Sequence, residues 1–397
     1  MKTIEADIYK AVVAVLTIPR AVIRFYTSII HAIIFLILKK SFDFFYGLFC
    51  IGLRFIPYEP KTSPEGRAFM DMIRFTEFIG AKFSIRNSEL NKPIPPTRDE
   101  KIHHLSVKLA ELFDWNLHFC YPTNVVPRKF MRVDKINLFD EESFDDFGRR
   151  EETYLIRATK QSNTARTCIL YFHGGGFMSG ETRTYVNILT PWLHENNLDC
   201  LLVDYSMNKT DLPEVLLRQG LQSYFYLLQT FPPSTNIVLM GESAGANLAI
   251  QVALNYNKQF TERRPDCMVL LSPWVDLTLQ THSWKESNKV DVVLSDNVCR
   301  LGDKLEIYTK EESRKLSPLH TDLSHLPPSF VAYGKHERLH DEGFLLCDKL
   351  RKCGVVIEEE PFEGMFHAFS LFHSYVPEGK LSLKNAASFI NKHIPSS

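Results

Sequence analysis

The sequence predicts an α/β fold, a mostly parallel central sheet with helices on both faces, from three observations. From Glu152 onward short apolar runs alternate with helical patterns, as in successive βα units. One run, Asn236-Ile237-Val238-Leu239-Met240, passes through Gly241-Glu242-Ser243-Ala244-Gly245 into a helical stretch of small and apolar residues, Ala246 to Leu254. Another, Thr167-Cys168-Ile169-Leu170-Tyr171-Phe172, ends in His173-Gly174-Gly175-Gly176-Phe177.

Composition sets the bounds. A chain of 397 residues can hold two or three average domains or one decorated one. A formal net charge of −1 gives no basis for binding nucleic acid. The 8 cysteines are scattered without a C-x-x-C pair, so the sequence predicts neither a metal site nor a disulfide framework. Cys168, Cys200 and Cys267 fall in apolar runs, where a free buried thiol is expected.

The first stretch, residues 1–57, differs from the rest. Ile4, Ile8, Val12, Val15 and Ile18 recur at helical spacing among Lys2, Lys10, Arg20 and Arg24. An uncharged run from Phe25 to Leu38 precedes Lys39-Lys40, and a second apolar run spans Phe44 to Leu53. As a helix the first run reaches about 21 Å, short of a bilayer core of about 30 Å. Starting at Ala21 lengthens it to about 27 Å, with Arg24 reaching back to the interface. The segment reads as a membrane anchor: one short span, or a hairpin or interfacial device built from both runs. No small-residue cleavage site precedes Lys39-Lys40, which argues against a cleaved signal. A pair of buried helices in the soluble fold is the alternative. Basic residues on both flanks leave orientation open.

Residues 58–150 are of mixed polarity with turn signals at Asn91-Lys92-Pro93 and Pro95-Pro96, and read as the N-terminal part of a lid. His103-His104 lack a carboxylate or cysteine at ligand spacing and read as surface or packing residues. The acidic run around Asp140-Glu141-Glu142 reads as a solvated loop, and Asn208-Lys209-Thr210 is a lone glycosylation sequon.

The βα alternation occupies a third part, 151–397. Strands are expected at Tyr154-Leu155-Ile156, at Cys168 to Phe172 and at Cys200-Leu201-Leu202-Val203-Asp204, with helices over Tyr185 to Leu193 and Pro213 to Leu228. Further strands are expected at Cys267 to Leu271, Ser329 to Gly334 and Val355-Val356-Ile357. The alternation pauses over about 275–326, a helix-compatible stretch read as an inserted second half of the lid.

The chemistry follows from spacing. Strand, G-x-S-x-G and helix thrust a serine out of a tight turn, and the N–H groups opening the helix face any charge formed there. Three glycines leaving a strand bare their N–H groups to a ligand oxygen. Neither phosphate-loop fingerprint can be written over them. A serine nucleophile needs a base, and the base needs an orienting acid. Glu337 follows the strand at Ser329 and His367 follows the next one. Parallel neighbours lie about 4.8 Å apart, so both loops emerge on the edge that carries Ser243. His373 and Asp341 are the rival base and acid.

This set resembles the hormone-sensitive-lipase branch of the α/β-hydrolases, whose motifs read H-G-G-G-F, G-D-S-A-G-G-N-L and D-x-L-x-D-E-G, over roughly residues 150 to 393. The resemblance implies Ser243 as nucleophile, His367 as base, Glu337 as acid, and Gly175, Gly176 and Ala244 as donors of the oxyanion N–H groups. The chain departs from the pattern at Glu242 (usually aspartate), Ala246 (usually glycine) and Glu337 (more often aspartate). The family's Y-R-L-A-P-E is replaced by Tyr205-Ser206-Met207-Asn208-Lys209-Thr210. With the membrane-like N-terminus, that combination is similar to fungal steryl acetyl hydrolases. The resemblance implies an α/β-hydrolase fold and a membrane-associated serine esterase acting on esters of apolar alcohols, sterol acetates first. It implies no cofactor and no metal, and membrane lipid as a partner at the endoplasmic reticulum or on lipid droplets. An acylglycerol lipase is the same chemistry on longer chains, and a non-catalytic small-molecule receptor is the alternative of another class.

Overall fold

The inner strands of the sheet are the continuous apolar runs, as expected where both faces of a strand are covered. The computed structural model describes residues 62–71, 73, 131–139, 152–158, 167–180, 182–206, 212–256, 263–286, 291–295 and 308–394. The readings made above for residues 1–57, for His103-His104, for the acidic run and for Asn208 lie outside these residues. Among the described residues no helix is long and apolar enough to cross a membrane.

An eight-stranded sheet runs in the order β1-β2-β4-β3-β5-β6-β7-β8. Its strands are β1 (Met131–Ile136), β2 (Thr153–Ala158), β3 (Thr167–Phe172), β4 (Asp199–Val203), β5 (Asn236–Glu242), β6 (Cys267–Leu271), β7 (Ser329–Gly334) and β8 (Ile357–Phe362). β2 runs antiparallel to both β1 and β4, and every pairing from β4 through β3 to β8 is parallel. The described helices include α1 (Thr182–Asn196), α2 (Leu212–Thr230), α3 (Ala244–Asn255), α4 (His282–Lys285), α5 (Lys310–Lys315), α6 (His340–Lys352) and α7 (Pro377–His393). The core lies between the strands and these helices: Leu170, Leu239, Leu270 and Val331 from the sheet meet Leu216, Leu248, Val252 and Leu346 from α2, α3 and α6. Cys168, Cys200 and Cys267 are buried free thiols.

Two strands differ from the sequence reading, and both are edges. β1 falls within 58–150, the stretch read as a lid, yet it pairs with β2 along its whole length. Its charged side chains disguise it: Asp134 pairs with Arg132 and Arg157, and Lys135 with Glu152. β8 begins at Ile357, where the sequence placed its end, and continues through Glu358-Glu359-Glu360. Those carboxylates are taken up by Lys392, Arg351 and Asn385. Charged edges deter pairing with further chains, and they also erase the apolar signal. In the stretch read as a lid insertion, Val275, Leu277, Leu316, Leu323 and Leu326 belong to the main core.

The segment at 62–71 is joined to the C-terminal part of the fold. Ser63 donates its N–H (2.7 Å) and hydroxyl (2.8 Å) to the Glu378 carboxylate at the start of α7. Phe69, fully buried, packs its ring against Phe366, Phe372 and Tyr375.

The two glycines of the elbow are spatial requirements. A Cβ on Gly245 would stand 2.0 Å from the Phe172 carbonyl oxygen and 2.5 Å from that of His173. One on Gly241 would stand 2.4 Å from the Gly245 carbonyl carbon. Because these are backbone atoms, no rotamer relieves the clash, and Gly245→Ala should destabilise the fold by about 3 kcal/mol or more, at or beyond the upper end of overpacking costs. Denaturant unfolding of Gly245→Ala beside wild type measures it; an effect under about 1 kcal/mol would mean that β3 and α3 can part freely.

Candidate active site

Ser243 stands between β5 and α3 at φ 55°, ψ −123°, a conformation rare for a residue with a Cβ. Its backbone is pinned: its N–H donates to Leu271 O (3.0 Å), and its carbonyl accepts from Ala246 N (3.1 Å) and Trp274 N (3.1 Å). The turn lifts the side chain out of the sheet, and His367 Nε2 lies 2.9 Å from Ser243 Oγ. Behind the imidazole, Glu337 Oε2 lies 3.8 Å from His367 Nδ1, ion-pair distance rather than a hydrogen bond. Both side chains are buried. The structure therefore brings together the serine, histidine and glutamate picked out in the sequence. The rivals stand elsewhere. His373 Nε2 faces Ile188 O at 2.9 Å, and Asp341 accepts the Ser283 N–H at 2.8 Å.

Burial opposes a charge on His367, but the facing Glu337 carboxylate outweighs it, with Asp291 and Glu242 adding to the effect, and raises the imidazole above its usual 6.5. Burial likewise raises the Glu337 carboxyl, against the pull of His367 and of the Ser272 hydroxyl.

Topology explains a residue the sequence reading missed. Glu337 follows β7 and Ser243 follows β5, so β6 lies between them. The turn after β6 carries Ser272, whose hydroxyl donates to Glu337 Oε2 (2.7 Å) and accepts the Ala368 N–H (3.0 Å). Ser272 thus spans the acid and histidine loops. Its one legible cue is its place at the end of an apolar strand, Cys267 to Leu271, beside the serine strand.

The glycine loop after β3 is held next to the elbow by Glu242. This buried carboxylate accepts the Gly174 N–H and the Tyr171 and Tyr185 hydroxyls, the last at 2.7 Å. Glutamate in place of the family's aspartate has a reason here: the longer arm runs from β5 to a main-chain donor on the neighbouring loop and to donors on β3 and α1. His173 anchors the same loop as a neutral group, since burial drops its pKa to about 4. Its Nδ1 lies 2.8 Å from Gly174 O, and its ring stacks on Tyr205 at 4.4 Å. Gly175 (φ 104°) and Gly176 (φ 66°) then turn through left-handed conformations, and a Cβ on Gly175 would meet Ser179 O at 1.9 Å. With Gly174 N–H committed to Glu242, the N–H groups of Gly175 and Gly176 follow it along the loop, and Ala244 opens α3 beside the serine. Three such donors next to a hydroxyl and its base can receive charge on a carbonyl oxygen.

Among the described residues no group of three or more His, Cys, Asp or Glu side chains is placed to hold a metal ion.

With this geometry in place, comparison with known proteins is direct. A family model described as the alpha/beta hydrolase fold matches residues 169–371. The chain belongs to that family. It is 30% identical over 237 residues to an esterase of Acinetobacter venetianus, covering 58% of this chain and 76% of that protein. It is 26% identical over 224 residues to an acetyl-hydrolase of Streptomyces hygroscopicus, covering 56% and 74%. Among solved structures, an esterase of the bacterial hormone-sensitive lipase family superposes with a TM-score of 0.61 at 24% identity, covering 84% of this chain and 100% of that one. That likeness is one of fold.

Glu242 carries a prediction. Its pKa is raised from 4.5 to about 7, by burial against the donors that hold it down. Glu242→Gln keeps the size but offers an N–H₂ group to donors, so at least one buried donor loses its acceptor, a cost of about 1–3 kcal/mol. Amide exchange at residues 174–176 should quicken about tenfold or more. The folded state holds the Glu242 proton up to about 7 while the unfolded chain gives it up near 4.5. Wild type therefore loses stability relative to the variant as pH rises through that window. Unfolding free energies of both proteins from pH 4.5 to 7.5 check the sign; a gap that widens with pH would show the carboxylate to be ionised throughout.

Proposed function

We propose that this protein is a serine carboxylesterase of the hormone-sensitive-lipase branch that works through an acyl-enzyme. The observation that carries the reading is the 2.9 Å contact between Ser243 Oγ and His367 Nε2, with Glu337 behind the ring. In this reading His367 takes the serine proton as Ser243 Oγ attacks the ester carbonyl. The tetrahedral oxyanion is received by the N–H groups of Gly175, Gly176 and Ala244, each worth on the order of 10²–10³ in rate. His367 then protonates the departing alcohol, and afterwards takes a proton from the water that releases the acid. Glu337 holds the imidazole tautomer and offsets its transient charge. Relatives named esterase and acetyl-hydrolase support ester hydrolysis with a small acyl group.

The finer reading is sterol-acetate deacetylation by an enzyme anchored through residues 1–57 to the endoplasmic reticulum or a lipid droplet, with parts of 58–150 and 275–326 as a lid. An anchor beside an esterase suits an apolar alcohol drawn from the lipid phase. An acylglycerol lipase and a non-catalytic receptor are the other outcomes, and a chain-length panel of esters separates all three. Acetyl esters should turn over fastest, longer chains would mark a lipase, and no turnover at all a receptor.

Ser243→Ala should abolish fluorophosphonate labelling and lower ester turnover by about 10⁴-fold or more in a protein of unchanged thermal midpoint, as removal of the serine does in other triads. Persistent labelling of the folded variant would place the nucleophile elsewhere. Glu337→Gln should cost far more activity than Asp341→Asn, since only the first removes the charge facing His367.

Because His367 acts as base only when neutral and its pKa is raised, kcat/KM should climb with pH through a midpoint above 6.5. Glu337→Gln should move that midpoint down. Deleting residues 1–57 should release the protein from alkaline-washed membranes while sparing hydrolysis of a short soluble ester, because the contacts of Ser63 with Glu378 survive the deletion. Activity on sterol acetate in vesicles should fall more steeply, and loss of both activities would make the segment part of the fold.

A further inference from the structure

A second buried carboxylate touches both loops of the site from a stretch the sequence reading treated as lid. Asp291 is 2% exposed. Its Oδ2 accepts the main-chain N–H of Arg338, the residue after Glu337, at 2.8 Å. Its Oδ1 faces the main-chain N–H of His367 at 3.3 Å and accepts those of Leu294 (3.0 Å) and Val293 (3.2 Å). Arg338 returns the contact. Its guanidinium donates to the carbonyls of Trp284, Glu286 and Leu294, the first at 2.8 Å and the last at 3.2 Å. The Ser283 hydroxyl donates to the Arg338 carbonyl at 2.8 Å. Segments 282–286 and 291–295 and the loop after Glu337 are thereby tied into one knot.

We infer that Asp291 is a positioning residue: it holds the loops bearing Glu337 and His367 in register through their main chains, and adds a negative charge near the imidazole. The inference rests on the esterase reading of Ser243, His367 and Glu337. A carboxylate suits the task because two oxygens can take N–H groups from two loops at once, and hydrogen bonds to a charged acceptor are shorter and stronger than those between neutral groups. The charged groups facing His367 are Glu337 from the loop after β7, Glu242 from the elbow and Asp291 from the 291–295 segment. Asp291 in turn faces the Arg338 guanidinium and Glu337. Removing it withdraws a negative charge near the imidazole as well as an acceptor. A purely structural contact would lose only the acceptor.

The test uses the full-length protein and two readouts, the pH profile of the fluorophosphonate labelling rate and the ¹³C titration of the His367 ring, assigned by its loss in His367→Gln. In Asp291→Asn the labelling rate on the plateau should fall about tenfold or more. The midpoints of both profiles should move to lower pH by about half a unit or more. Asp291→Glu keeps the charge and disturbs the geometry, so its rate should fall while its midpoints stay near wild type; it also serves if the amide variant does not fold. Asp341→Asn, which loosens the same segment at Ser283, should leave the midpoints unmoved. A slowed Asp291→Asn with unmoved midpoints would overturn the inference, as would a shifted midpoint in Asp291→Glu. Failure of wild type to label would instead sink the esterase reading, and the ring titration would still report the Asp291 charge.

Discussion

The site depends on how closely two neighbouring parallel strands bring their ends together. β3 and β5 run side by side, with Phe172 opposite Gly241, so the glycine loop and the elbow leave the sheet next to each other. Gly245 lets α3 start against the carbonyls of Phe172 and His173, and Glu242 fastens Gly174 across the same gap. The N–H groups of Gly175, Gly176 and Ala244 lie on these two turns. The left-handed backbone at Ser243 costs on the order of 1–3 kcal/mol. Its N–H and carbonyl are bonded to the strand and loop that follow, so the strain is held by main-chain contacts to β6 and the turn after it.

From that junction the remaining groups arrive in order of strand position. β6 delivers Ser272, β7 delivers Glu337 and β8 delivers His367, each from the carboxyl end of a parallel strand, where open α/β sheets place their sites. The acid and histidine loops leave β7 and β8 with Gly334 opposite Phe362, and beyond the strand ends Ser272 on one side and Asp291 on the other each bond to both loops. Both act largely on main-chain groups, so they constrain where the loops stand without competing for the Ser243–His367 contact.

What was legible in the sequence follows from where the information resides. β3, β5, β6 and β7 are buried on both faces and read as unbroken apolar runs, and the elbow and glycine loop carry local motifs whose glycines are required by space. The edges were not legible. β1 and β8 owe their structure to pairing with β2 and β7, and their charged side chains find partners that are distant in sequence, as Glu358 does with Lys392. Ser272 and Asp291 were missed for a related reason. A serine after a strand and an aspartate in a loop have no pattern of their own, and their meaning comes from partners 65 positions away, from Ser272 to Glu337, and 76 positions away, from Asp291 to His367.

The electrostatics of the site follow from the same placement. Burial alone would lower the pKa of His367, and a neutral imidazole of low basicity would be a poor acceptor for a serine proton. His173 shows that outcome in this fold: with Asp204 3.9 Å away, burial still outweighs the pull of the Gly174 carbonyl and drops its pKa to about 4. His367 differs because Glu337, with Asp291 and Glu242 behind it, overcomes the burial cost and raises its basicity. Two buried histidines thus serve opposite ends. His173 stays neutral, stacks on Tyr205 and shapes the loop that carries Gly175 and Gly176, whereas His367 is surrounded by the charge that lets it hold a proton.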